Sequence, residues 1–432
     1  MAGASSPVSH VRVLVGLVAG AALGSFLNWY LMGSGNEEWI AALKWVVRNL
    51  TKPIGQIFLN LLFMAIIPLV FASLAVGVTR LGGTANVGRV GAKTLAYFII
   101  TTAFAAVIGL CFVNLIRPGD RVPEEQRQQL IDKYRGESKI EAKGKFDIDT
   151  LTNVVPRNPL EAFLKKDMLA VIFTSILVGI ALTRIAPDRA KLVTEFLEGV
   201  NQITDFIIRL AMSLAPIAVF ALIFSTTAEL GYQVLLALGA FVGTVLAGLA
   251  VHQFVVLPIL VATLGGMNPL IFFAKIQNVM LTAFSTSSSS ATLPAAMQCA
   301  ENELNVPAPI SKFVLPLSAS MNHNGTALFE GVTVMFLAQV FNVNLTLPDQ
   351  LLVLLMCVLT ATGMAGVPGG SLPLIGLILT MFGVPAEAIF LVLGVDRLLD
   401  MCRTTVNVTA DMTTALFVAR TERDIMPATA GG

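Results

Sequence analysis

The chain has 432 residues, 55% of them hydrophobic and only 13% charged, with a mean hydropathy of +0.79. A soluble domain carries roughly 25% charged residues, so this composition excludes a soluble globular protein, whose surface it cannot cover. A formal net charge of +1 likewise excludes the electrostatic footprint of a nucleic-acid binder.

In chain order, apolar runs fall at 11–32, 53–78, 94–116, 168–186, 203–225 and 233–263. Each is read as reaching the roughly 20 residues that a helix needs to cross hydrocarbon. The first run has a weak basic flank and no small-residue cleavage site, which favours a retained helix over a signal peptide. Cys111, Cys299, Cys357 and Cys402 show neither paired nor metal-type spacing and read as packing residues. The basic segments 80–93 and 184–191 fall on one side if the spans alternate, which predicts a cytoplasmic N-terminus. The hydrophilic stretch 117–153 mixes both charge signs and reads as a solvated external loop without a catalytic pattern.

After Gly265 the pattern changes. The run 270–284 is too short to cross alone and ends in a serine-rich break, Ser285 to Pro294. A second short run, 350–360, ends in a glycine-rich break, Ala361 to Ser371. Each reads as a helical hairpin that dips into the membrane and returns, because unwound backbone at that depth must be buried in protein or line a cavity. The competing reading, external loops between full spans, is disfavoured by arms shorter than roughly 20 residues. A polar segment follows each break: Met321-Asn322-His323-Asn324-Gly325-Thr326 after the first, and Asp400 to Asp411 after the second. Two copies of a broken hairpin followed by a polar helix point to an inverted-repeat secondary transporter.

At about 100° per residue, Asp396, Asp400, Arg403, Asn407 and Asp411 fall within roughly 80° of one another. A charge facing lipid at the bilayer centre costs at least ~2.5–3.5 kcal/mol, so this stripe faces protein, water or ligand. A structural Asp–Arg network is the competing reading, strongest for Asp396. Arg403 can grip a carboxylate through two parallel hydrogen bonds. Asp400 can pair with an ammonium, and a ligand satisfying both is an acidic amino acid. Asn407 and Asp411 offer hard oxygens one turn apart, suited to a small cation.

Asn322 and Asn324 would point about 200° apart on an intact helix, so both serve one site only if the helix unwinds, which Gly325 permits. Ser287 to Ser290 at a half-helix N-terminus suit an anionic group. Glu330, a turn beyond Thr326 in apolar sequence, reads as a proton carrier or as a simple helix-end glutamate. His323 reads as a hydrogen-bonded spacer, while His252 and His10 carry no argument.

On these residues the chain resembles the glutamate transporter family, the dicarboxylate/amino acid:cation symporters, in its acidic amino acid, prokaryotic branch. The likeness runs from Ile66-Ile67-Pro68-Leu69-Val70 onward and is strongest after Asn268. Its motifs are the serine-rich tip ending in Ala291-Thr292-Leu293-Pro294, the Asn-x-x-Gly-Thr core, Gly366-Val367-Pro368-Gly369, and the final Asp-x-x-Arg-Thr-x-x-Asn-x-x-x-Asp. The resemblance implies an all-α integral membrane fold: eight transmembrane helices plus two re-entrant helical hairpins, inverted repeats, an elevator mechanism and a homotrimer embedded in lipid. Scaffold helices one and two would occupy 1–82 and helices four and five 158–229, with an extracellular loop at 117–157. The transport domain would comprise helix three at 83–116 and the remainder at 230–420, followed by a cytoplasmic tail at 421–432. The second hairpin would be the gate, and the location would be the plasma membrane, the inner membrane if bacterial.

The same resemblance implies substrate contacts at Ser288, Ser289, Thr326, Val367, Gly369, Gly370, Ser371, Asp400, Arg403, Thr404 and Asn407. Sodium is the implied coupling ion, with no organic cofactor and no catalytic residue. A first sodium site would use Ser318, Asn322, Asn407 and Asp411, and a second Ser320, Ala361, Thr362 and Met364. A third would use Thr101 and Thr102 with an aspartate, but the family's Met-Asp is His323-Asn324 here. Glu330 matches the family's proton-linked glutamate, so a proton can replace part of the sodium requirement. The accessory arginine of the family is absent, its positions holding Ser287 and Met401.

Transport of neutral amino acids or C4-dicarboxylates is the alternative within the family, opposed by the Arg403–Asp400 pair. An ion channel with a serine-lined re-entrant loop needs no such pair. An intramembrane serine hydrolase lacks a Gly-x-Ser-x-Gly sequence.

Overall fold

Helix is the only regular element among the described residues, which in this computed structural model are 10–34, 36–81, 85–135, 154–165, 167–364 and 369–422. In hydrocarbon a helix satisfies its backbone groups internally, so apolar runs of this length fold no other way in isolation. The first run forms α1 (His10–Ser34). The short helix α2 (Glu37–Val46) was not foreseen; Asn36 caps it by accepting the Glu38 and Trp39 amides at 3.1 and 3.3 Å. None of its residues is buried, and exposed Trp39 and Trp45 give it the composition of an interfacial helix. A π-helical turn, Val47–Thr51, leads into α3 (Lys52–Leu81), and α4 (Ala85–Ile116) follows.

Two expectations need correction. The stretch beginning at Arg117 is not all loop: a 3-10 turn, Pro118–Arg121, precedes α5 (Glu124–Arg135), which buries Leu130 and Ile131 in the main core. Residues 136–153 lie outside the described residues. The run 168–186, expected as a full span, is the 15-residue α7 (Met168–Leu182), preceded by the single turn and a half of α6 (Pro159–Leu164). At ~1.5 Å per residue it covers ~22 Å, short of ~30 Å of hydrocarbon. By contrast α8 (Pro187–Leu230) has 44 residues and extends the expected 203–225 span well beyond the apolar run.

The long α9 (Gln233–Gly265) includes π-helical turns at His252–Val256 and Val261–Gly265. The Arg420 guanidinium closes its C-terminus, donating to the Thr263 and Leu264 carbonyls at 2.9 and 3.2 Å. Then come the two interrupted pairs: α10 (Pro269–Thr286) with α11 (Ser289–Asn302), and α14 (Leu347–Gly363) with α15 (Ser371–Met381). Between the pairs lie α12 (Ala308–Met321) and α13 (Asn324–Val340), and α16 (Phe390–Thr421) closes the described chain.

The helices pack in two groups. In the first, α8 lies along α1 and α3, and α3 also packs on α7. Gly16 and Gly20 of α1 face α8 so closely that a Cβ would sit 2.5 Å from the Pro216 carbonyl oxygen and 2.7 Å from that of Phe220. Small residues four apart permit this backbone contact, which drives helix association in lipid through van der Waals packing. In the second group α4 packs on α13, α9 and α14, while α16 packs on α10 and α13. Glu422, buried just past α16, accepts from Arg89 at 2.8 Å and from Lys93, tying the end of α16 to the start of α4. The groups meet where α16 lies on α1 and α8 and where α14 and α15 lie on α3. Every residue of α13 is buried, polar ones included, and this places the polar segments at the centre of the molecule.

Candidate functional site

The predicted unwinding falls on Asn322 and His323, whose backbones leave the helical region at φ −113°, ψ 81° and φ −113°, ψ 62°. Gly325, expected to supply that freedom, is instead helical. Its role is close approach: a Cβ there would lie 2.7 Å from the Arg403 carbonyl oxygen and 3.0 Å from its Cα. The start of α13 thus rests directly on the backbone of α16.

Across this contact the two polar segments bond to each other. The Gly325 amide donates to Asn407 Oδ1 at 2.8 Å, and Asn407 Nδ2 donates to Thr326 Oγ1 at 3.1 Å. Asn322 Nδ2 donates to Asp411 Oδ1 at 2.9 Å, and the Asn322 amide donates to the Ser318 carbonyl at 2.8 Å. Asn322 Oδ1 is buried without a partner. An unpartnered amide oxygen beside a buried carboxylate is a hard-oxygen pair that fits a small cation.

Higher on α16 the charges converge. Arg403 is 1% exposed, and its Nη2 lies 2.8 Å from Asp400 Oδ1 and 2.9 Å from Asp396 Oδ1. Only the Asp400 contact has hydrogen-bond geometry; that to Asp396 is a close ion pair whose oxygen accepts no directed bond. The guanidinium lies over the Phe329 ring, 3.9 Å from its centroid, where the aromatic face attracts a cation. Its Nε and Nη1 have no partner. Buried donors left open on the strongest carboxylate-binding side chain are costly unless a ligand fills them.

Asp396 therefore belongs to an Asp–Arg network, the structural alternative weighed from sequence. A second guanidinium was missed: Arg397 is buried and places Nη1 3.5 Å from Asp400 Oδ2. It stands three residues before Asp400, a spacing the sequence displays, whereas the family's accessory positions hold Ser287 and Met401.

Of the remaining expected residues, Thr404 is buried on α16. Ser287 caps α10 in the left-handed conformation (φ 51°) with a buried, unpartnered Oγ; Ser288 caps α11 by accepting the Ala291 amide at 3.2 Å; Ser289 is buried. At the second hairpin Gly369 adopts φ 77°, which an L side chain resists. Gly370 is buried beside it, and Ser371 is buried with an unpartnered Oγ. Val367 falls in 365–368, outside the described residues.

The Ser320 hydroxyl donates to the Pro316 carbonyl at 3.1 Å, and that of Thr362 donates to the Val358 and Leu359 carbonyls. Met364 is buried and extended at the end of α14. The Ala361 carbonyl accepts from His323 Nδ1 at 2.7 Å. Thr101 and Thr102 meet Asn324 as expected, and His252 joins them, although sequence assigned it nothing. Glu330 is fully buried, accepting from Thr360 Oγ1 at 2.6 Å through Oε2 while Oε1 has no partner.

The profile of the sodium:dicarboxylate symporter family matches residues 10–421. The chain is similar to a proton/sodium-glutamate symport protein of Bacillus subtilis (strain 168), 35% identical over 419 residues that cover 97% of this chain and 94% of the relative. It is 32% identical over 414 residues to a proton/glutamate-aspartate symporter of Escherichia coli (strain K12), covering 95% and 92%. A C4-dicarboxylate transport protein of Rhodospirillum rubrum is 30% identical over 422 residues, covering 97% and 89%. With nearly every described residue inside the matched range and relatives aligned end to end, the chain belongs to the sodium:dicarboxylate symporter family.

Proposed function

We propose that this chain is a cation-coupled symporter of acidic amino acids, aspartate and glutamate, in the plasma membrane. The observation that carries the reading is the buried Arg403 guanidinium, held on one edge by Asp400 and Asp396 with Nε and Nη1 open. A carboxylate of the substrate accepts charge-assisted hydrogen bonds from the donors left open on Arg403. The substrate ammonium takes Asp400, which Arg397 and Arg403 now hold from either side. Ser288, Ser289, Thr326, Gly369, Gly370, Ser371, Thr404 and Asn407 complete the enclosure in this reading, with Val367 at the second tip. The glutamate and aspartate named for the relatives from B. subtilis and E. coli agree with it. Succinate and other C4-dicarboxylates bring no ammonium for Asp400, and serine brings no second carboxylate.

Asp396, Arg397, Asp400 and Arg403 together are neutral, so an acidic amino acid adds one net negative charge to a buried, low-dielectric interior. Cations that enter with it relieve this field. Sodium at Asn322 and Asp411 and a proton on Glu330 each remove one negative charge from that interior. Translocation in this reading is an elevator movement of α4 and α9 to α16 against α1, α3, α7 and α8 in each protomer of a homotrimer, with the N-terminus cytoplasmic. The second hairpin is the gate.

The test is displacement of labelled aspartate from purified protein in sodium. Glutamate displacing it, with serine and succinate ineffective, supports the assignment. Displacement by succinate as effective as by glutamate overturns it.

A further inference from the structure

All three tryptophans of the chain, Trp29, Trp39 and Trp45, lie near the end of α1 and along α2, each at least 64% exposed. Beside Trp29, the exposed rings of Phe26 and Tyr30 stack with centroids 6.1 Å apart. Exposed tryptophan and tyrosine gather where lipid headgroups meet water, so the end of α1 and all of α2 stand at headgroup depth. A cavity of about 310 Å³ opens at that level between α1, α2, α5 and the end of α8. Its floor is apolar and fixed: Val47 and Ala228 belong to a small buried core with Phe224, Leu43 packs on that core, and buried Leu31 adjoins it in the cavity wall. Its rim carries Lys44, Lys52 and Glu229. Lys52 and Glu229 offset each other as an ion pair at 3.2 Å. Lys44, exposed on α2, has no carboxylate partner among the described residues, so the rim keeps an uncompensated positive charge.

We propose that this cavity is a binding site for an anionic phospholipid, with the phosphate on Lys44 and the top of an acyl chain against Leu31, Leu43 and Val47. Charge and shape together select this occupant. Free phosphate leaves the apolar floor unused, and a zwitterionic headgroup brings its own cation to the lysine. The bound lipid bridges α1, α2 and α8 at the end where these helices leave the membrane. The inference goes beyond the transport reading and does not depend on which solute is carried.

Fluorescence of the purified protein in liposomes tests it, because every tryptophan lies at this end of the molecule. In the variant W29F/W39F the remaining Trp45 adjoins Lys44. The probes are phosphatidylglycerol and phosphatidylcholine brominated near the head of one acyl chain, each mixed into the unbrominated form of the other. Phosphatidylglycerol should reach Trp45 with about a fivefold preference, the effect of one lysine on an anionic lipid. K44Q should abolish that preference. R48Q removes an equal charge that does not line the cavity and should retain most of it. Equal quenching by the two lipids overturns the proposal, as do equal losses in K44Q and R48Q, which would mean diffuse attraction to a basic surface. Absence of quenching by either lipid also overturns it and points to a second copy of the chain over Trp45. If the tryptophan replacements prevent folding, K44Q and R48Q made with all three tryptophans in place give the same comparison.

Discussion

Replacing Gly325 with alanine sets two effects of opposite sign against each other. Gly325 lies in the first turn of α13, and alanine gains up to about 1 kcal/mol over glycine within a helix. The added Cβ, however, would stand 2.7 Å from the Arg403 carbonyl oxygen where ordinary contact begins at 3.4 Å, so the helices must part by about 0.7 Å. The obstacle is backbone on both sides, and no rotamer change relieves it. Overpacking of this kind costs typically about 1–3 kcal/mol, and an unyielding neighbour puts it at the upper end. The net expectation is a loss of about 2 kcal/mol after the helix gain is subtracted. The parting also opens the Gly325–Asn407 and Asn407–Thr326 bonds and shifts Arg403 relative to Thr326. A misplacement approaching 1 Å at a site of this type lowers turnover by up to about a hundredfold. Unfolding in denaturant and initial aspartate uptake in liposomes measure the two consequences. A variant more stable than wild type with undiminished uptake refutes the close-approach argument.

Arg403→Cys removes the open guanidinium donors, and with charge-assisted bonds worth about 1.5–3 kcal/mol each, affinity for aspartate falls about a hundredfold. Neutral amino acid uptake should be spared or created; unchanged aspartate transport contradicts the role given to this residue. Asp411→Asn removes the carboxylate bonded to Asn322 and should raise the sodium concentration for half-maximal uptake at least about tenfold, read from a sodium titration. Gly20→Leu places a branched side chain against the Phe220 backbone and should destabilise the protein by about 1–3 kcal/mol, measured by detergent-solubilised unfolding.

The two interrupted hairpins were legible because an apolar run that stops short of spanning length and meets serine, glycine and proline has few other solutions in a membrane. The charged stripe on α16 was legible for a similar reason: helical periodicity places Asp396, Asp400, Arg403, Asn407 and Asp411 together, and lipid forbids that face. Partners from distant segments were not. Nothing in the local pattern pairs His252 with Asn324, 72 residues away, or Thr360 with Glu330, because such contacts depend on how helices pack. Phe329 beneath Arg403 looks in sequence like any core aromatic. Gly325 shows how a correct residue acquires the wrong reason: glycine just after a polar turn suggests flexibility, and only packing reveals close approach. The short α7 was misread because hydropathy measures apolar length, not that the helix stops at its Thr183 cap within the run.

Accumulation by purified protein in liposomes tests the central claim most directly, with labelled aspartate, glutamate, serine and succinate supplied under separate inward sodium and proton gradients. Aspartate and glutamate should be concentrated inside when a cation gradient is imposed and should only equilibrate, if they enter at all, without one. Concentration of serine or succinate in preference to both, or no concentration of the acidic amino acids under any gradient, contradicts the account.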